Sequence, residues 1–220
     1  MDITYLGHAS FLLKSKEVKL VIDPFSSEMM GLKFSKIEAD VVTVSHQHED
    51  HNAVSQVGGD PLVIDIPGEY EINGVRIHGF DTYHDKSKGE ERGENTIFKF
   101  DFDGLTILHC GDLGHPLSAE TTQDIDGVDV VMVPVGGVYT IDADEARQIV
   151  EKLEPSIVIP MHYRDPKLKP NISKYSEMAP VEDFLQKVGV TQAEPVKKLS
   201  IKKSDLGEEE MKIVVMEASA

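Results

Sequence analysis

Apolar runs of strand length recur along this chain: ITYL, FLLK, KLVID, VVTVS, LVID, VRIHGF, TIFKFDF, LTILHC, VVMVPV, SIVIPM and IVVME. Many are β-branched and bounded by Gly, Pro or Asp, as strands are. Many strands with few helices suggest an α+β protein whose helices cover sheets from outside. The pair Asp103-Gly104, between two such runs, marks a hairpin turn. Two helices stand out. In one, Asp142 or Asp144 caps a segment that aligns Ala146, Ile149, Val150 and Leu153 and stops at Pro155. The other begins at Pro180, aligns Val181, Phe184, Leu185 and Val188, and ends at Gly189. A shorter helix is expected to start near Asp50. Residues 85–96 and 164–179 read as solvated polar loops, and the placement of each after a candidate ligand histidine suggests that they border a substrate cleft. The acidic triplet Glu208 to Glu210 reads as a solvated turn. No repeat, low-complexity block or linker divides the sequence, so residues 1–220 are expected to form one domain.

Composition narrows the function. The chain has 220 residues and is 40% hydrophobic, enough for a substantial core. No stretch approaches the roughly 18 to 20 apolar residues of a membrane span. The start, MDITYLGHAS, lacks the basic and apolar regions of a signal peptide. Cys110 is the only cysteine, which excludes an intrachain disulfide and favours a cytoplasmic home. The formal charge, 22 − 39 = −17, disfavours nucleic acid and anionic membranes as partners. A small-molecule substrate is the expectation.

Residues 41–51, VVTVSHQHEDH, break from an oily run into three histidines, a glutamate and an aspartate. The same arrangement repeats: HGFDTY leads into His84, LTILHCG into Asp112 and SIVIPM into His162. Strands of one sheet that finish at a common edge would bring these residues together, on rigid supports suited to a metal. Within 46–51, the i, i+2 histidines His46 and His48 can face one side of an extended segment before Asp50 and His51 turn away. A lone His-x-His is weak evidence; His-x-His-x-Asp-His after a buried strand is far more specific.

With HQHEDH, the CGD at 110–112 and PMHY at 160–163, the chain resembles the metallo-β-lactamase fold superfamily. LGHASF, the Asp-Pro at 23 and 24, and HCGDLGH make it similar to a branch of metal-dependent hydrolases. That branch includes ascorbate-6-phosphate lactonase and, more distantly, the phospholipase D that cleaves N-acyl phosphatidylethanolamines. The resemblance spans nearly the whole chain and implies a four-layered αββα sandwich with a dinuclear site at one edge of paired sheets. It implies His46, His48 and His84 on one metal, Asp50, His51 and His162 on the other, and Asp112 bridging. Such a set around two divalent ions carries a net charge of about +2, or about +1 with a bridging hydroxide. Zinc suits these ligands, with manganese or iron as alternatives. His48 stands where flavodiiron relatives have glutamate, which favours hydrolytic over oxygen chemistry.

The expected reaction is hydrolysis by a metal-bound hydroxide, with Asp50 orienting the water, on an ester, lactone or phosphodiester. No G-x-S-x-G elbow or P-loop offers a competing nucleophile. The alternatives are a non-enzymatic metal-binding or sensor protein, and a phosphodiesterase or nuclease acting on nucleic acid. Relatives form oligomers, so a homo-oligomer is compatible with the resemblance. His8, in LGHAS, and His115, in GDLGH, are candidates for the pocket rather than for metal ligation. His109 reads as either an orienting or a structural histidine, His78 as structural, and Cys110 as a core residue. Asp142 reads as a helix cap, and Tyr139 stays open.

Overall fold

A computed structural model describes residues 1–207 and 211–219. The triplet 208–210, expected as a turn, lies outside them. The chain begins with β1 (Asp2–Gly7), β2 (Ser10–Lys14) and β3 (Lys19–Ile22), then α1 (Ser27–Met30), β4 (Val41–Thr43) and β5 (Leu62–Ile64). A meander of β6 (Gly68–Ile72), β7 (Val75–Tyr83), β8 (Glu94–Phe102) and β9 (Leu105–His109) follows. Next come α2 (Ala119–Ile125), β10 (Val130–Pro134), α3 (Ala143–Leu153), β11 (Ile157–Met161) and α4 (Val181–Lys187). The two-residue strands β12 (Leu199–Ser200) and β13 (Lys212–Ile213) come last.

These strands form two mixed sheets, ordered β12-β1-β2-β3-β4-β5 and β13-β11-β10-β9-β8-β7-β6. The period-2 alternation of strands explains how the apolar runs are used. In β3, Leu20 and Ile22 join the core between the sheets, while Val21 joins a second core on the outer face. Val41 and Val42 of β4 divide the same way. A strand buried on both faces must be apolar throughout, and KLVI and VVT are. The second core is closed by α1, with Phe25, Met30 and Phe34, and by Leu168, Tyr175 and Met178 of the 164–179 loop. Helices α3 and α4 pack on the other sheet, α3 burying Ala146, Ile149 and Val150. This is the α+β sandwich expected from the sequence. Among the described residues no helix is long and apolar enough to cross a membrane.

Several expectations need correcting. No helix starts at Asp50: a turn occupies 49–51 and a 3-10 turn spans Val54–Gln56. Helical bonding is pre-empted there because the Ala53 N–H is taken by the Pro24 carbonyl at 2.7 Å. The 85–96 loop is shorter than expected, since Glu94, Asn95 and Thr96 already pair with β7. Helix α2 escapes notice in AETTQDI because it buries only Ile125. The Asp103-Gly104 turn and both long helices fall where expected, with Asp142 in a capping box with Glu145.

The metal-type strand ends do not belong to one sheet. β4 lies in the first sheet and β7, β9 and β11 in the second. Strand pairing makes β1, β3 and β4 run one way in their sheet, and β7, β9, β10 and β11 one way in theirs. The carboxyl ends of each set therefore share a rim, and the two rims meet.

Candidate metal centre

At this meeting point the backbone turns sharply. His8, Asp23 and His162 each follow a strand directly and adopt left-handed conformations, with φ of 60°, 44° and 50°. Such residues cost about 1–3 kcal/mol each and persist where the surroundings fix them. The fixing is visible: the His8 carbonyl accepts the His162 N–H at 2.8 Å and the Tyr5 hydroxyl at 2.8 Å, which ties the two rims together. Two glycines allow the chain around Asp112 to come close. A Cβ on Gly111 would lie 2.3 Å from Asn95 Oδ1, and one on Gly114 would lie 2.2 Å from the His84 carbonyl carbon.

Asp112 sits at the centre, buried. Its Oδ2 lies 3.0 Å from His162 Nε2, 3.3 Å from His84 Nε2 and 3.9 Å from His46 Nε2, and its Oδ1 lies 3.2 Å from His51 Nε2. Asp50 Oδ2 is 3.8 Å from His51 Nε2 and 3.0 Å from His8 Nε2. His48 joins His46 and His84, with ring centroids 4.6 and 5.1 Å away. Three sets of potential ligand atoms each fall within 4.8 Å of one another: His46, His48 and His84; His46, His51 and Asp112; and His8, Asp50, His51 and His162.

Donor and acceptor accounting fixes which nitrogens face inward. The fully buried Asp23 carboxylate accepts the Ser45 N–H (2.7 Å), the Ser45 hydroxyl (2.6 Å) and the His51 Nδ1–H (2.8 Å). Because the Ser45 hydroxyl donates to Asp23, it accepts from His46 Nδ1 at 2.9 Å. Both rings carry a proton on Nδ1 and turn Nε2 inward, the nitrogen that a metal would take in place of a second proton. Asn95 completes the frame: its Oδ1 accepts the Asp112 N–H at 2.8 Å, and its Nδ2 donates to the Thr82 hydroxyl and the Cys110 carbonyl.

The electrostatics call for a cation. Burial works to raise the Asp112 carboxyl, but His162 and His51 outweigh it and hold it well below the usual range. Burial works to lower His51, but Asp112 and Asp50 outweigh it and lift that imidazole well above its ordinary value. Burial, then His51, pushes His46 well down. His8 is pushed down to about 4 by burial with His162 adding, so it is neutral at pH 7 and donates to Asp50. A proton on His51 and a divalent ion among these groups answer the same negative charge. His46 Nε2, His51 Nε2 and Asp112 Oδ1 are buried without a hydrogen-bond partner. Each such group costs about 1–3 kcal/mol unless something satisfies it. Imidazole nitrogens and carboxylate oxygens at this spacing fit a divalent cation.

The cluster opens to a cleft of about 390 Å³, lined by His8, His48, Asp50, His84, Asp112 and His162 and also by Met29, Gln47, Glu49, Arg92, Tyr139, Ile172 and Met178. His115 stands apart from it. Its Nε2 accepts the Tyr83 N–H at 3.2 Å and its Nδ1 donates to the Pro116 carbonyl at 2.9 Å, so both ring nitrogens are engaged in holding the local turn. His109 is structural: Nε2 donates to the Ala9 carbonyl and Nδ1 accepts the Gly111 N–H. His78 stacks on Phe80 away from the cleft. Cys110 is a core residue whose thiol burial pushes up to about 12. Asn95 and Arg92 hold parts of this site that the sequence did not announce, and Asp23, noted there only within the Asp-Pro pair of the resemblance, has a role that was not assigned. For Asp23 the available signal was its place directly after an apolar run, where ligand-type residues gather.

Sequence and structure comparisons agree with this picture. The profile of the beta-lactamase superfamily domain matches residues 2–162. A UPF0173 metal-dependent hydrolase of Carboxydothermus hydrogenoformans is 30% identical, covering 74% of this chain and 84% of that protein. One from Pelotomaculum thermopropionicum is 32% identical over the same shares. The crystal structure of a Thermotoga maritima protein assigned to the Zn-dependent hydrolases of the metallo-beta-lactamase superfamily superposes with a TM-score of 0.80. It shares 38% identity, covering 98% of this chain and 97% of that one.

Proposed function

The chain belongs to the metallo-β-lactamase superfamily and is a metal-dependent hydrolase related to the UPF0173 proteins, and we propose that it cleaves a small-molecule ester, lactone or phosphodiester with two divalent ions held around Asp112. His46, His48 and His84 would hold one ion, Asp50, His51 and His162 the other, and Asp112 would touch both. Zinc suits this set best, with manganese and iron as alternatives. Bound there, such ions would supply a water acidified from a pKa of about 15.7 to about 7 and polarisation of the carbonyl or phosphoryl oxygen.

The chain's own groups do the rest. Asp50 lines the cleft and is held by His8 at 3.0 Å, so its carboxylate is positioned to orient the attacking water. Asp23 and Ser45 keep the Nε2 atoms of His51 and His46 directed inward. Met29, Ile172 and Met178 give the cleft an apolar side that favours water exclusion. The lone buried cysteine supports a reducing, cytoplasmic setting, and the acidic charge supports a substrate other than nucleic acid.

The observation that carries the reading is one buried carboxylate with four histidine Nε2 atoms 3.0–3.9 Å away, facing a cleft. A purely structural metal site closes its coordination; this cluster opens to solvent-sized space. The test is to strip metal with a chelator, assay lactones, phosphodiesters and thioesters, and then restore zinc or manganese. Activity should vanish and return. Turnover indifferent to metal would refute the proposal.

A further inference from the structure

Among the described residues Arg92 is the one Lys or Arg side chain lining the cleft, and its loop is held by a single carboxylate. Asp85, next to His84, is buried, and its carboxylate accepts the backbone N–H groups of Ser87 (2.7 Å), Gly89 (2.9 Å), Glu91 (3.1 Å) and Arg92 (2.8 Å). The His84 N–H is taken by the Gly93 carbonyl at 3.0 Å. Residues 84–93 are therefore wound around a single carboxylate, and Arg92 emerges at a fixed position close in the fold to His84.

The guanidinium is held but not neutralised. It lies 5.5 Å over the Tyr139 ring, and its Nη2 donates to the Val138 carbonyl at 3.2 Å. The Tyr139 hydroxyl in turn bonds the Ser173 carbonyl, which steadies the ring between two loops. In a chain with 39 acidic against 22 basic residues, no ion pair among the described residues involves Arg92. Stacked on an aromatic face and with most of its N–H fork unspent, an arginine is preorganised for bidentate binding of an oxyanion. Glu49 and Asp50 line the same cleft, so apart from bound metal the cleft has no general excess of positive charge, and the fork of Arg92 is its specific oxyanion donor.

We propose that Arg92, steadied by Tyr139, binds a carboxylate or phosphate on the part of the substrate that is not cleaved, so the substrate is an anionic molecule with an apolar portion against Met29, Ile172 and Met178. The identity of the ligand as a substrate rests on the hydrolytic reading above; the binding itself does not require turnover. The test is calorimetric titration of wild type, R92Q and R92K, at verified equal metal content and again after metal stripping, with benzoate, phenyl phosphate and neutral phenol. Wild type should bind one or both anions better than phenol, and the preferred anion identifies the oxyanion. R92Q should weaken that binding by about tenfold or more, R92K should recover part of it, and phenol should be unaffected. A wild type that binds neither anion, an R92Q that binds them as wild type does, or an equal loss for phenol would overturn the proposal. On a matched ester pair with and without a remote carboxylate, R92Q should lower kcat/KM about tenfold or more further for the anionic ester than for the neutral one. Should the metal-loaded protein turn over no ester, lactone, thioester or phosphodiester of the panel while R92Q still loses the anion, the hydrolytic reading fails and the subsite stands.

Discussion

Asp23 makes the least visible and most consequential set of contacts in the cluster. It touches none of the open cleft, yet one carboxylate fixes the tautomer of His51 directly and of His46 through Ser45. Asp23→Ala should lower metal affinity by about 10–100-fold while every proposed ligand remains. Competition titration against a chromophoric chelator would measure this, and unchanged affinity would remove Asp23 from the frame. Cys110 gives a second expectation at this scale. With its thiol pushed up to about 12 by burial, it should not react with a thiol reagent near pH 8 in the native protein, and should react fully once unfolded. Native-state labelling would show that the core around it opens. The core place of Cys110 was legible in the sequence; the contacts of Asp23 and Arg92 were not. Asp23 ends KLVID as an ordinary strand-bounding aspartate, and its partners Ser45 and His51 lie 22 and 28 positions away. Arg92 sits in a charged stretch, DKSKGEERGEN, whose place after His84 suggests a cleft border; that Asp85 organises it around Arg92 was not visible.

The elements explain why the ligand-type residues fall where they do. Strand ends from two sheets form one rim, so the motif-bearing segments follow β4, β7, β9 and β11 with few residues between strand and site. This much was readable, because β-branched runs and their abrupt polar ends are local signals. The division of the strands between two sheets was not, since strand pairing is set by contacts across the chain. The loop after β9 depends on backbone closeness: Gly114→Ala would drive a methyl into the His84 carbonyl carbon and Asp85 N, both 2.2 Å away. It should cost about 1–3 kcal/mol of stability and reduce bound metal, as denaturant titration and metal analysis would record. Asp142→Ala is the contrasting case. Losing the capping box of α3 should cost about 1 kcal/mol and leave metal content unchanged. Metal loss from that variant would mean that the helix start and the cluster are coupled.

At the scale of the molecule, the two sheets bury a large apolar core and converge on a rim that is unfavourable by itself, with strained turns, crowded imidazoles and buried carboxylates. A protein arranged this way is stabilised by whatever satisfies that rim. At free metal near 1,000 times Kd the gain is about 4 kcal/mol, which for a chain of this size corresponds to a rise in Tm of about 8–16 °C. Chelation should lower Tm accordingly, and restored zinc should raise it. The family and the α+β sandwich were legible from HQHEDH, CGD and PMHY; the cleft's specificity was not, because its walls come from α1 and four separate loops. The most direct test of the central claim is anomalous diffraction at metal absorption edges from crystals of the protein as purified. The account predicts two peaks within coordination distance of Asp112, one beside His46, His48 and His84 and the other beside Asp50, His51 and His162. Density maps with ordered side chains and no anomalous peak near Asp112, even after soaking with zinc, would contradict it.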